Sequence, residues 1–169
     1  MALFRQLFQF KGKHADMVRT LVDKLGGSGN CRNIDIFYIS IVMGIWQNKI
    51  ATIDDDKKIE PAKIDSEQMI RYEDDIIFFY RLVMLSDKKY CLSEKERVDK
   101  AFRIIMKPEA TDDEKHFVEV MLGGLEFLNA QICLNTITEN DRLNKIKNLV
   151  ELYQEQYGTI TAESLRVVE

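Results

Sequence analysis

Apolar residues recur at three- and four-residue steps along most of this chain, and that period predicts helices. From about Lys13 to Leu25, the residues Ala15, Met17, Val18, Leu21, Val22 and Leu25 fall on one face. The run Gly26-Gly-Ser-Gly-Asn30 then supplies a helix stop, because glycine readily takes the left-handed conformation of a helix end. A second helix is expected from about Ile34 to Gln47, with Asn33 as its N-cap and Asp35 in the first turn. Its stripe of Ile34, Phe37, Tyr38, Ile41, Val42, Ile45 and Trp46 is backed by Ile36, Ile39 and Met43 on the other side. A helix apolar all round belongs at the centre of a core.

A polar stretch from about 48 to 65 is the longest predicted loop, with room for a short extended pair around Lys49–Ile53 and Lys58–Ile64. Asp65 followed by Gln68 forms a capping-box pattern, and the third helix should run to about Leu85 with a bend near Tyr72–Asp75. Its second half, Ile76 to Leu85, is again apolar on most sides. Ser93 with Glu96 opens a fourth helix that Pro108 ends near Lys107. Thr111 with Glu114 opens a fifth, to about Leu134, which carries Gly123-Gly124 inside it. Each interior glycine costs a helix about 1 kcal/mol against alanine, so the pair marks a kink, a break or a close helix contact. A last helix, about Asn140 to Gln156, carries Leu143, Ile146, Leu149, Val150, Tyr153 and Tyr157 on heptad-like spacing, with Gly158 as its C-cap. The expected fold is all-α: a compact bundle of about six helices in one domain over 1–169, with an N-terminal arm (1–12) and a frayed tail (159–169).

Composition supports this and narrows the class. With 46% hydrophobic and 31% charged residues and two prolines, the 169-residue chain can build a core without disulfides or metals. Cys31, Cys91 and Cys133 lie far apart with no C-x-x-C, which suits free thiols in a reducing compartment. The longest greasy stretch, Ile34–Trp46, is interrupted by Asp35 and too short to span a bilayer, and Met1–Phe10 lacks signal-peptide features. A soluble, cytoplasmic protein is therefore expected. The net charge is −4, with seven Lys/Arg against three acids in residues 1–50 and 17 against 25 in the rest. Wholesale phosphate binding is not what such a chain is built for, though a local basic face remains open.

No residue pattern implies a cofactor, a metal or a catalytic centre. His14 and His116 share no local spacing with cysteines or carboxylates of the kind a zinc or nucleophile site needs. Asp54-Asp55-Asp56 lacks the glycine and alternating ligands of a calcium loop. The glycine run before the second helix lacks the lysine and Ser/Thr of a phosphate-binding loop. An enzyme site assembled across helices stays open, because partners in such sites are distant in sequence.

Two surfaces stand out. On the fourth helix Arg97, Lys100, Arg103 and Lys107 project within about a 120° arc, opposite Val98, Phe102 and Ile105, and such a stripe can follow a phosphate backbone. Glu94, Glu96 and Asp99 dilute it, so a solvated face with ion pairs four residues apart is the competing explanation. In the N-terminal arm Arg5, Lys11 and Lys13 interleave with Phe4, Phe8 and Phe10, a mix suited to docking on a partner, another protomer or nucleic acid.

Four stretches carry a resemblance: Phe8 to Ala15 (FQFKGKHA), Arg32 to Ile36 (RNIDI), Tyr80 to Leu85 (YRLVML) and Arg97 to Arg103 (RVDKAFR). In these the chain resembles uncharacterised small helical accessory proteins of bacterial DNA-modification and phage-defence gene clusters, the phosphorothioation type among them. The resemblance implies a role in a multi-protein, DNA-directed system and brings no active site with it. The leading expectation is a non-catalytic helical accessory subunit that docks a protein partner or itself. The alternative is a DNA-associated protein that uses Arg97, Lys100, Arg103 and the Lys11/Lys13 arm.

Overall fold

Phe37, in the middle of the helix expected at the core, is the hub of a chain of aromatic rings. In the computed structural model, which describes residues 5–26, 31–105, 107–133 and 139–158, its ring meets Phe8 edge-on at 5.1 Å, Phe10 at 6.3 Å and Phe117 at 6.1 Å. Phe117 in turn meets Tyr80 at 5.7 Å. Four segments distant in sequence are thereby joined through one packed cluster, in the offset and edge-on geometries that aromatic quadrupoles prefer.

The elements in order are β1 (Phe8–Phe10), α1 (Lys13–Gly26), α2 (Asn33–Gln47), β2 (Ala62–Ile64), α3 (Ser66–Arg71), α4 (Glu73–Ser86), α5 (Glu94–Asp99), α6 (Thr111–Ile132) and α7 (Glu139–Tyr157). A π-helical turn at Lys100–Ile104 follows α5, and a 3-10 turn at Pro108–Ala110 leads into α6. The fold is predominantly all-α. The chain divides into two compact units, Met1–Asn129 and Ala130–Glu169. Their boundary falls inside α6, so no linker composition marks it.

In the first unit, Val18 and Leu21 of α1, Ile34, Phe37 and Ile41 of α2, Ile76 and Tyr80 of α4 and Phe117, Met121 and Leu125 of α6 are buried. The Gly123-Gly124 pair does not break α6. It lets α6 cross α2 backbone to backbone: a methyl at Gly124 would overlap the Ser40 carbonyl oxygen, and one at Gly44 would overlap the Val120 carbonyl. A methyl at Gly123 would overlap the Lys49 carbonyl. Asn48 ends α2 in the left-handed conformation (φ 48°), and Ala51 N–H then donates to the Glu119 carbonyl at 2.9 Å. The start of the long loop is thus laid along α6.

Several local expectations change. The extended segment Lys58–Ile64 does contain a strand, but β2 pairs antiparallel with β1 and not with Lys49–Ile53. The N-terminal arm is consequently part of the fold: Phe8 faces Ile64 across the ladder, and Phe10 is 1% exposed. Arg32, not Asn33, is the N-cap of α2, with its N–H donating to Asp35 Oδ2 at 2.8 Å. The Asn33 amide donates instead to the Lys63 carbonyl at 2.7 Å, tying α2 to β2. Asp65 caps α3 without a side-chain bond, and the expected bend divides α3 from α4 at Tyr72. Ser93 does cap α5 by accepting from Glu96 N–H at 3.4 Å. Thr111 is already helical and donates its hydroxyl to the Pro108 carbonyl at 2.9 Å, so it does not act as an N-cap.

The second unit contains the end of α6 and α7. In α7 Leu149 is buried while Leu143, Val150, Leu152 and Tyr153 are exposed. Gly158 (φ 79°) closes the helix, donating to the Gln154 carbonyl at 2.7 Å. Phe4, the glycine run at 27–30, the expected end of the fifth helix at Leu134 and the tail 159–169 lie outside the described residues.

Candidate functional site

The basic stripe expected on the fourth helix does not form. Arg97 is 8% exposed, and its guanidinium turns inward to donate to the Cys91 and Leu92 carbonyls at 2.8 and 2.9 Å. Lys100 also turns in, with its ammonium 2.6 Å from Asp113 Oδ1 and 5.2 Å from the centre of the Tyr90 ring. Arg103 points outward but is paired with Asp99 at 2.8 Å. Lys107 is exposed and makes no ion pair among the described residues. The residues placed on the opposite, inward face are partly outside: Phe102 is 52% exposed, and Val98 is exposed as well. The physical reason lies in two places. Arg97 satisfies carbonyls of the turn preceding its own helix, which fixes α5 with that side inward. After Asp99 the π-helical turn then departs from the 3.6-residue register on which the arc was counted.

The charges of the N-terminal arm are also neutralised. Lys11 pairs with Asp55 at 2.9 Å, Lys13 with Glu126 at 2.7 Å and Arg5 with Glu73 at 2.7 Å. Asp54 accepts from Lys13 N–H at 2.9 Å, capping the start of α1 from across the loop, and that bond holds its carboxyl below the usual carboxylate range. The acid run of the long loop is therefore bound to α1 and the residues before it. Of the apolar interface expected at Phe4, Phe8 and Phe10, Phe10 is buried and Phe8 half-buried, both packed against Phe37 in the core.

The surplus apolar surface lies elsewhere. On α4 Phe78 is 59% exposed, and Leu82 and Leu85 are exposed beside it at four- and seven-residue spacing. The opposite side of α4 buries Ile76, Tyr80, Val83 and Met84. On α2, packed against α4 through Tyr38 and Phe79 at 5.3 Å, Ile39 and Val42 are exposed too. Phe102 joins from the other flank, where the Arg81 guanidinium lies 5.0 Å from its ring centre. Three neighbouring elements thus carry exposed apolar side chains, with the row on α4 as the longest run. The sequence signal for it was present as the all-round hydrophobicity of Ile76–Leu85, which fits a central helix and a docking helix equally well.

Both histidines are buried in carboxylate pairs. His14, 1% exposed, lies 3.0 Å from Glu126 Oε1, the same oxygen that Lys13 reaches. Burial, the dominant influence, pulls its imidazole pKa below the ordinary value against the effect of Glu126. The Glu126 carboxyl is disfavoured by burial, yet the hydrogen bonds from Lys13 and His14 hold it below its usual range. His14 also lines a cleft of about 390 Å³ whose walls include Phe8, Lys11, Glu114, Lys115 and Leu122, and burial pushes the Glu114 carboxyl up. None of the three cysteines lines that cleft.

His116 belongs to a second network. Its Nε2 is 2.9 Å from Asp87 Oδ2, and its ring stacks on Tyr90 at 3.7 Å, within 4° of parallel. The Tyr90 hydroxyl donates to Asp113 Oδ1 at 2.7 Å, and burial followed by that bond raises its pKa. The network ties the turn after α4 and the turn after α5 to the first turns of α6. No group of three or more metal-ligating side chains occurs among the described residues.

Fold and surfaces together define a predominantly all-α protein whose α4 carries an exposed apolar row among the described residues. No family model matches the chain, and neither a curated protein nor a solved structure matches it. No helix among the described residues is long and apolar enough to cross a membrane.

Proposed function

We propose that the chain is a non-catalytic helical interaction subunit that docks a protein through the α4 face. The observation that carries this reading is the exposed row Phe78, Leu82 and Leu85, extended by Ile39, Val42 and Phe102. Scattered apolar residues on a surface are ordinary, but a row of large ones along one helix, with exposed apolar neighbours on the elements beside it, supports an interface. The inward placement of Arg97 and Lys100 works against the DNA-associated alternative, which needed them on the surface. A multi-protein, DNA-directed setting, which the sequence resemblance implies, suits a subunit of this kind. Three free cysteines suit the reducing cytoplasm.

The test is association measured by size exclusion with light scattering and by affinity capture from native lysate, for the wild type and for Phe78→Asp. The substitution sits at an exposed position, so the fold should survive it within about 0.5 kcal/mol by urea denaturation. Self-association or capture should be lost. A wild-type chain that stays monomeric and captures nothing, or capture indifferent to Phe78→Asp, would count against the reading.

A further inference from the structure

We infer that α4 docks against α4 of a second copy of this chain, antiparallel, across a two-fold axis passing between Arg81 and Leu82. This rests on reading the α4 row as a docking surface and names its occupant. The arrangement of charge around the row points to a second copy. Asp74 and Asp75 stand exposed at its N-terminal end, and Lys88 and Lys89 stand exposed just beyond its C-terminal end. None of the four has an ion-pair partner among the described residues. The helix dipole accounts for the sign of each pair but not for the uncovered apolar row between them.

Reversing one copy against another resolves both features in a single register. Phe78 meets Leu85 of the other copy, Leu82 meets its own counterpart beside the axis, and the acidic end with Asp74 and Asp75 comes against the turn after α4 that carries Lys88 and Lys89. The apolar row spans about 10 Å of helix at 1.5 Å per residue, so the charged ends lie within reach of one another on both sides. Arg81 leans out of the row over Phe102 and leaves its centre apolar. A parallel arrangement would set acid against acid and lysine against lysine. A two-fold interface must be self-complementary, and an acidic–apolar–basic row is self-complementary only when reversed. Opposed helix dipoles favour the same orientation.

The experiment uses the full chain in sedimentation or light scattering over a concentration series. The wild type should dimerise reversibly. Asp74→Lys with Asp75→Lys, and separately Lys88→Glu with Lys89→Glu, should each weaken the dimer at least about tenfold by placing like charges together. Mixing the two variants should restore dimers, because each swapped end then meets its complement. Leu82→Cys should form an interchain disulfide well above the background of the native cysteines in the unsubstituted chain. Circular dichroism of every variant checks that the fold is kept. A strict monomer, a dimer indifferent to both charge swaps, or a mixture that fails to associate would overturn the inference. If the chain is monomeric while Phe78→Asp abolishes capture of another protein, the partner is a different one and the interaction reading stands. If neither self-association nor Phe78-dependent capture occurs, both readings fall together.

Discussion

At the scale of single residues, two glycines set a helix crossing and a buried histidine sets a dependence on pH. The crossing of α2 and α6 depends on Gly44 and Gly124, because carbonyl oxygens of the opposite helix occupy the space a Cβ needs. Gly124→Ala should therefore destabilise the protein by at least about 2 kcal/mol in urea denaturation, although alanine is intrinsically the better helix former by about 1 kcal/mol. Gly26→Ala, where a methyl would meet Cys31 Cβ at 3.5 Å, is the control and should be near neutral. His14 gives the fold a dependence on pH. Its folded pKa lies below the ordinary value, so the unfolded chain takes up a proton first as pH falls. Stability should decline below about pH 6.5, and Glu126, also depressed, adds to the loss below about pH 4.3. In His14→Gln the upper part of that decline should flatten in urea midpoints measured against pH, leaving the lower part.

At the scale of elements, the turns around α5 matter more than the helix itself. Lys100 and Tyr90 both bond Asp113 Oδ1, and Asp113 is nearly inaccessible. Burial alone would lower the Lys100 pKa, but the bond and charge of Asp113 outweigh it and raise it. Asp113→Ala should cost about 3 kcal/mol or more, because it leaves a lysine largely buried without its counter-charge. Adding Lys100→Met should cost less than the separate effect of that change, by at least about 1 kcal/mol in a double-mutant cycle. Strict additivity would mean the pair carries no coupling.

This region also shows what sequence periodicity resolves. The 3.6-residue period located α1, α2, α4 and α7 closely, since each has a long run of apolar positions. It predicted one helix from Ser93 to about Lys107, and neither the π-helical turn after Asp99 nor the face that turns inward is contained in the period. That choice was made by Arg97 bonding two carbonyls and by a buried acid on α6, both outside the pattern. β1 and β2, three residues each, are too short to show alternation and are defined only by pairing across the chain. The α4 face was visible as hydrophobicity, but a sequence does not say whether a second apolar side is covered.

At the scale of the whole molecule, the distribution of charge separates the two functional expectations. With Arg97 and Lys100 inside and Lys11, Lys13 and Arg103 paired, the cations expected to follow a phosphate backbone are largely committed to partners within the chain, whose net charge is −4. Fluorescence anisotropy with duplex DNA should show no binding at physiological salt, and no steep salt dependence should emerge at lower ionic strength. Micromolar binding with a steep slope would reinstate the DNA-associated reading.

The ribbon of β1 and β2 has a further consequence, for the route by which the chain acquires its structure. Its strands flank the whole of α1 and α2, so their pairing closes a long loop for a few hydrogen bonds, a contact of high sequence separation and small local reward. Such contacts are expected to form late, after the helices have associated. Phe10→Ala should accordingly leave the refolding rate nearly unchanged and accelerate unfolding in a chevron experiment. The Phe8–Phe10 strand would then act as a latch on the finished structure: it sets how long the native state lasts and has little part in how quickly it is reached.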